Sequence, residues 1–75
     1  MNEERQIIFM EVRLIRLAVQ TWNKSIERVL EIFKEHRVLY YIREGFGIFH
    51  CEGDRAVLDD IEEMLKRKGV DVYGD

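Results

Sequence analysis

The sequence predicts an all-α fold, a compact bundle of about four helices in which the third helix is short or irregular. Apolar side chains recur at helical spacing in four successive segments, short polar turns separate these segments, and none of the 75 residues is proline. A chain of this length forms one domain with a small core, so residues 1–75 are expected to fold as a single helical unit.

The first helix is expected from about Asn2 to Trp22. Its apolar stripe contains Ile8, Val12, Ile15, Val19 and Trp22, and it is widened by Ile7, Met10, Leu14, Leu17 and Ala18. The opposite face carries Arg5, Arg13, Arg16 and Gln20. Two side chains depart from this pattern, because Glu11 lies within the apolar arc and Phe9 lies on the polar face.

The second helix is expected to begin after Ser25, whose hydroxyl can accept a hydrogen bond from an otherwise unpaired backbone N–H in the first turn. Its narrow apolar face contains Ile26, Val29, Leu30, Ile32 and Phe33. A kink between Glu35 and Arg37 then leads into the third segment.

The third segment allows two interpretations. A helix would place Val38, Leu39, Ile42, Phe46 and Phe49 on one face. Gly45 and Gly47 would each cost such a helix about 1 kcal/mol relative to alanine. Alternatively, the residues from Gly47 to Cys51 could pair as a strand with those from Val70 to Tyr73, giving an α/β fold with a short two-stranded element. Two isolated strands of this length would be weakly stable, so we favour the helix.

The fourth helix follows a Gly53-Asp54 turn in which Asp54 is the predicted N-cap. Its buried stripe is expected to contain Val57, Leu58, Ile61, Met64 and Leu65. Three basic residues at positions 66–68 complement the dipole of the last turn, and Gly69 then ends the helix as its C′ residue.

Composition and charge narrow the classes of function. The longest apolar stretch is interrupted by charged side chains and is too short to span a bilayer, so no membrane association is expected. The single Cys51 rules out an intramolecular disulfide framework and favours a reducing cytoplasm. The formal net charge of −3 argues against a general nucleic-acid binder, because phosphate affinity comes mainly from clustered Lys and Arg.

The adjacent residues His50 and Cys51 are the pair most suggestive of catalysis. A thiolate nucleophile needs a base held against it, whereas neighbours on a helix point about 100° apart. A closed zinc site needs four ligands, and the chain has one Cys and two His. We therefore predict no catalytic, cofactor or metal site. His50 is expected to cap the third helix and Cys51 to be buried as a small apolar residue.

Glu11 is a candidate site residue because a carboxylate on an apolar stripe must be paired, protonated or placed at an interface. An internal ion pair with Arg37, Arg43 or His50 is one option. A groove at a dimer or partner interface is a second option, and an acid–base role is a third.

Aromatic and cationic side chains complete the candidate interaction residues. Phe9 on a polar helix face, with Tyr40 and Tyr41 half covered, suggests an association surface, although scattered surface aromatics are the alternative. Arg13 and Arg16 could contact phosphates, yet the segment where a helix-turn-helix would place its recognition helix is apolar. We expect a homodimer that forms through the first helix.

The stretch from Ser25 to Leu65 resembles a small bacterial family. The residues that carry the resemblance are Val29-Leu30-Glu31-Ile32-Phe33, Val38-Leu39-Tyr40-Tyr41-Ile42, Phe46, Phe49-His50, Gly53 and Asp59-Asp60-Ile61. They are similar to the pattern of domain-of-unknown-function family three-seven-nine-one, which usually has helix formers at the positions of Gly45 and Gly47. The first helix matches only in its general apolar character.

The resemblance implies an all-helical domain of about this size with no known activity. Genes of the family often lie beside genes for ADP-ribosyltransferase-like toxins, which implies a partner-binding or toxin–antitoxin role. Residues and resemblance together lead us to expect a non-enzymatic protein-interaction module whose partner could be a toxin-like protein encoded nearby. A component of a bacterial toxin–antitoxin pair and a small nucleic-acid-binding regulator are the alternatives.

Overall fold

A computed structural model describes residues 2–74, and four α-helices and no strand are found within them. The helices are α1 (Glu3–Trp22), α2 (Ile26–Glu35), α3 (Val38–Phe49) and α4 (Asp54–Arg67). The packing is centred on α1, which contacts each of the other three helices, while α2 also packs against α3. The predicted all-α bundle of four helices is therefore confirmed.

The α/β alternative is wrong, because the two segments proposed as strands have other structures. Gly47 to Phe49 form the last residues of α3, and Val70 to Tyr73 follow α4 as a loop and turn. The third helix is also neither short nor irregular, since it runs without a break over 12 residues, compared with 10 in α2. Gly47 has no neighbour within 4 Å of the position of a Cβ, so this glycine is simply tolerated on a solvent-exposed side of the helix.

The buried face of α1 differs from the predicted stripe. The residues of α1 that reach the core are Ile7, Met10, Leu14, Ala18 and Trp22. Ile8 and Val12, which were assigned to the stripe, are 45% and 44% exposed. The apolar arc of α1 is wider than the surface that the other helices cover, so residues at one edge of the arc stay in solvent.

Caps define the ends of the helices. Asn2 accepts a hydrogen bond from the backbone N–H of Glu4 at the start of α1. The Ser25 hydroxyl accepts one from the N–H of Arg28 in α2, and this is the cap predicted from the sequence. Between α2 and α3 the chain turns sharply through Arg37, which has a left-handed backbone conformation with φ of 55°.

The start of α4 differs from the prediction, and its end agrees with it. The N-cap is Gly53, and Asp54 is the first residue of the helix. No side chain caps this end of α4. The Asp54 carboxylate is instead drawn to Arg13 of α1. At the other end Gly69 has a φ of 83°, and the N–H of Val70 donates to the carbonyl oxygen of Leu65 at 2.9 Å. This 6→1 hydrogen bond is typical of a Schellman C-cap, as expected for a C′ glycine.

Among residues 2–74 the core is one cluster of 18 buried apolar residues from all four helices and from Val72 in the C-terminal turn. The rings of Trp22 and Phe33 meet in it at a centroid distance of 6.1 Å. Trp22 donates through Nε1 to Glu62 Oε2, which also accepts from the Tyr73 hydroxyl, each at 2.8 Å. None of the helices within residues 2–74 combines the length and apolar character needed to cross a membrane.

Candidate interaction surface

His50 and Cys51 approach each other although they are neighbours in sequence. His50 is the residue that ends α3, and its Nδ1 donates to the carbonyl oxygen of Phe46 at 2.8 Å. The other ring nitrogen, Nε2, faces the Cys51 sulfur at 3.7 Å. Cys51 has left the helix by this point, which removes the angular separation expected for helical neighbours. Cys51 is also exposed, so the prediction that it is buried is wrong.

The contact between His50 and Cys51 is a weak hydrogen bond at most. The distance between the ring nitrogen and the thiol is long, and a thiol is a weak hydrogen-bond donor. His50 otherwise serves as a cap and stacks on the Phe46 ring at a centroid distance of 5.2 Å. Within residues 2–74 no group of three or more His, Cys, Asp or Glu side chains could hold a metal ion.

Phe9, Arg13 and His50, three of the predicted interaction residues, lie in one shallow groove between the first half of α1 and the end of α3. Phe9 is 53% exposed at its edge. The guanidinium of Arg13 is already engaged, since its Nε donates to Asp54 Oδ2 at 2.9 Å. The groove therefore has an exposed aromatic edge, but its arginine is neutralised from within the domain.

Glu11 lies beside Arg43 of α3 and not beside Arg37 or His50. Its side chain is only 12% exposed, and one carboxylate oxygen is 3.9 Å from Arg43 Nη2. The closer partner of Arg43 is Glu4, which precedes Glu11 by about two turns of α1. Burial raises the pKa of Glu11, and the nearby Arg43 opposes this increase. The hydrogen bond from Arg43 lowers the pKa of Glu4.

The two tyrosines of α3 are in different environments. Tyr40 is exposed, and the guanidinium carbon of Arg37 lies 4.6 Å from the centroid of its ring. Tyr41 is half-buried, with its ring 5.7 Å from that of Phe49, and desolvation raises the pKa of its hydroxyl. Both are in the first turn of α3, whereas the groove at Phe9 is formed by the end of this helix.

Three exposed apolar residues of α1 adjoin one another. Ile8, Phe9 and Val12 are 45%, 53% and 44% exposed. Residues three and four positions apart are neighbours on a helix, so Val12 adjoins both of the others. Arg5 precedes these three residues by one turn and Arg16 follows them by one turn. We call this set of five residues the α1 outer face.

The aromatic and cationic members of the α1 outer face were recognised in the sequence, but its aliphatic members were assigned to the core. Phe9 and Arg16 were singled out as interaction candidates, and Arg5 was placed on the polar face. The signal that could have identified Ile8 and Val12 is the width of the apolar arc, which exceeds what neighbouring helices of a small bundle can cover. Within residues 2–74, neither Arg5 nor Arg16 has an ion-pair or hydrogen-bond partner for its side chain.

Comparison with known families identifies this helical domain. Residues 9–68, about four fifths of the chain, match the family described as Protein of unknown function (DUF3791). The chain belongs to this family. Searches of curated proteins and of solved structures each found no match.

The residues that carry the resemblance to DUF3791 lie both in the core and on the surface. Eight of the 17 residues that carry the resemblance are buried, namely Val29, Ile32, Phe33, Val38, Ile42, Phe46, Phe49 and Ile61. Two members of the α1 outer face, Arg5 and Ile8, precede the part of the chain that matches the family. The function of the outer face must therefore be argued from its own chemistry.

Proposed function

We propose that this DUF3791 domain is a non-enzymatic module that binds another protein through the α1 outer face. The observation that supports the proposal is the joint exposure of Ile8, Phe9 and Val12, three apolar residues that adjoin one another on α1. Single exposed apolar residues are ordinary on protein surfaces, whereas contiguous ones are typical of docking sites. Phe and Arg are also enriched at protein–protein interfaces.

A toxin–antitoxin component that inhibits its cognate by direct contact would use the same kind of surface. A neighbouring gene for a toxin-like protein would favour this alternative, and loss of inhibition on mutation of Phe9 would test it. A nucleic-acid-binding role has less support, because Arg13 is paired with Asp54 and the net charge is −3. Cytoplasmic location is part of the proposal and is supported by the exposed, unpaired Cys51 thiol.

The homodimer expected from the sequence is an alternative use of the α1 outer face. Sedimentation of the wild-type chain and of Phe9→Ala at micromolar concentration tests it directly. A dimer that is lost in the variant would support self-association through α1, and a monomer in both would contradict it.

Affinity capture from lysate of the native organism tests the proposal itself. The wild-type chain is compared with the double variant Ile8→Ser/Phe9→Ser and with a control, Leu39→Ser/Ile48→Ser, which removes two exposed apolar residues from α3. Circular dichroism first checks that all three chains are folded.

We expect a protein that the wild type and the α3 control retain and that the α1 variant loses. A nuclease-treated sample excludes bridging by nucleic acid. Equal retention by all three chains, or recovery of nucleic acid in place of protein, would contradict the proposed function.

A further inference from the structure

The two charged residues of the α1 outer face are both arginines, whereas Glu52 lines the groove beside Phe9. Arg5 and Arg16 are the charged members of this face, and neither is neutralised within residues 2–74. Glu4 and Glu11 flank this face, since they lie four and three positions from Ile8, but both approach Arg43 of α3. An acidic protein therefore presents a local surface that is apolar in its centre and cationic at both ends.

A second copy of this chain is a poor occupant for that surface. Two-fold symmetry brings the same patch of both copies together. In an antiparallel arrangement centred on Phe9 and Val12, Arg5 of one copy faces Arg16 of the other. In a parallel arrangement each arginine faces its own equivalent. Both arrangements bring like charges together, which costs affinity and selects against the pairing.

A membrane surface is also disfavoured as the occupant. Interfacial helices insert a broad apolar face that is free of other contacts. The opposite side of α1 is occupied by three helices, and the whole chain carries a net charge of −3, which anionic lipids would repel. A protein segment can instead match the small apolar centre and place individual acids opposite the two arginines.

The shape of the surface favours a helix. The α1 outer face is one side of a single helix, and Arg16 follows Arg5 by 11 positions, which corresponds to about 16 Å along the helix axis. A second helix can lie along such a face by packing its side chains between those of α1. A partner helix of about three turns would then reach both arginines.

We infer that the α1 outer face binds an acidic amphipathic helix of another protein, with its apolar stripe on Ile8, Phe9 and Val12 and with carboxylates at Arg5 and Arg16. This inference depends on the proposed function and adds to it the chemistry of the partner. It also assigns a role to Arg16 that is separate from contact with nucleic acid.

A pair of synthetic helices tests the inference with the full chain. Each peptide has about 20 residues, which is about the length of α1, with leucine on one stripe. One peptide has glutamate along both edges of this stripe, and the other has lysine. The ¹⁵N-labelled chain is titrated with each peptide, and shifted amide signals locate the site and give the dissociation constant.

We expect the glutamate peptide to bind at least ten-fold more tightly than the lysine peptide, with shifts centred on residues 5–16. The variant Arg5→Glu/Arg16→Glu should reverse this preference. The control Lys34→Glu/Lys66→Glu, which makes the net charge of −3 more negative by the same four units, should keep the wild-type preference. Reversal of preference is a result that a damaged fold would not give.

Several outcomes would overturn the inference. These are equal binding of the two peptides, no binding of either, shifts outside α1, or stronger binding to phosphatidylserine vesicles than to the glutamate peptide. A dimer in sedimentation that is lost in Phe9→Ala would assign the face to a second copy. If a captured protein requires Phe9 but is indifferent to Arg5→Glu/Arg16→Glu, the proposed function stands and the inference about the partner fails.

Discussion

The carboxylate of Glu11 provides a quantitative test of how this small bundle accommodates a charge at the edge of its core. Its side chain is only 12% exposed, yet its cationic neighbour Arg43 lies at 3.9 Å and is shared with Glu4. An ion pair that is long and partly solvated contributes about 0–1 kcal/mol. The pKa of Glu11 is raised because burial destabilises the ionised carboxylate by more than the nearby Arg43 stabilises it. Glu11→Gln should therefore not destabilise the domain at pH 7, and we expect a gain of up to about 1 kcal/mol.

The pH dependence of the unfolding free energy gives an independent test of the sign of the Glu11→Gln effect. A carboxyl group whose pKa is higher in the folded state than in the unfolded state stabilises the fold when protonated, and this contribution is lost as the pH rises through the folded pKa. The advantage of Glu11→Gln should then be present at pH 7 and disappear below 4.5, the ordinary pKa of a glutamate. Glu4 is a matched control on the same helix with the same arginine. Its pKa is lowered, so Glu4→Gln should weaken the fold at pH 7 and lose this effect as the pH falls.

Urea denaturation midpoints of the wild type, Glu11→Gln, Glu11→Leu and Glu4→Gln between about pH 4 and pH 8 provide the measurement. Glu11→Leu should be the most stable variant, by about 1–2 kcal/mol over the wild type, because it buries an apolar side chain where a charge was. The reasoning would be refuted if Glu11→Gln lost more than about 1 kcal/mol at pH 7, which is the result expected of a well-formed buried ion pair.

Three further predictions concern the helices and are measured as shifts in denaturation midpoint. Gly45→Ala should cost about 1–3 kcal/mol, because the new Cβ would lie 2.8 Å from Cζ of the buried Phe49 ring. Gly47→Ala has open space around the new Cβ and should gain about 0.5–1 kcal/mol. Equal effects of the two substitutions would contradict this reasoning. Ser25→Ala removes the N-cap of α2 and should cost about 1 kcal/mol, so an unchanged midpoint would argue against that cap. Glu62→Ala leaves the indole N–H of the chain's one tryptophan without its acceptor and should cost about 1–3 kcal/mol, with a change in tryptophan fluorescence as a second readout.

The sequence was sufficient to predict the buried residues of a helix whose apolar face is narrow. In α4 all five residues of the predicted stripe are buried, because the charged residues on either side leave only one orientation towards the core. The end of this helix was equally predictable, since Gly69 has the positive φ that glycine adopts without strain. Local pattern and tertiary structure agree at these places.

Other features depended on information that a local pattern does not contain. The apolar arc of α1 is broad, so its orientation is decided by where the other helices pack, and Ile8 and Val12 are left in solvent. Asp54 is a residue type that often serves as an N-cap. In the folded chain, however, its carboxylate accepts a hydrogen bond from Arg13, which is 41 positions away in sequence. Cys51 is exposed because the chain leaves α3 before it, and a short turn determines its direction.

The positive local charge of the α1 outer face is also a consequence of packing and not of composition. As a free helix, α1 would carry its acidic and basic side chains together, with little local excess of either. In the bundle, Arg43 of α3 attracts Glu4 and Glu11 to one side, and Asp54 of α4 neutralises Arg13. Within residues 2–74, the two arginines at the ends of the apolar patch have no ion-pair partner. In the interaction that we propose, a chain with a net charge of −3 presents two arginines to its partner, and this partner recognises the folded bundle, since the unfolded segment would not present the α1 outer face.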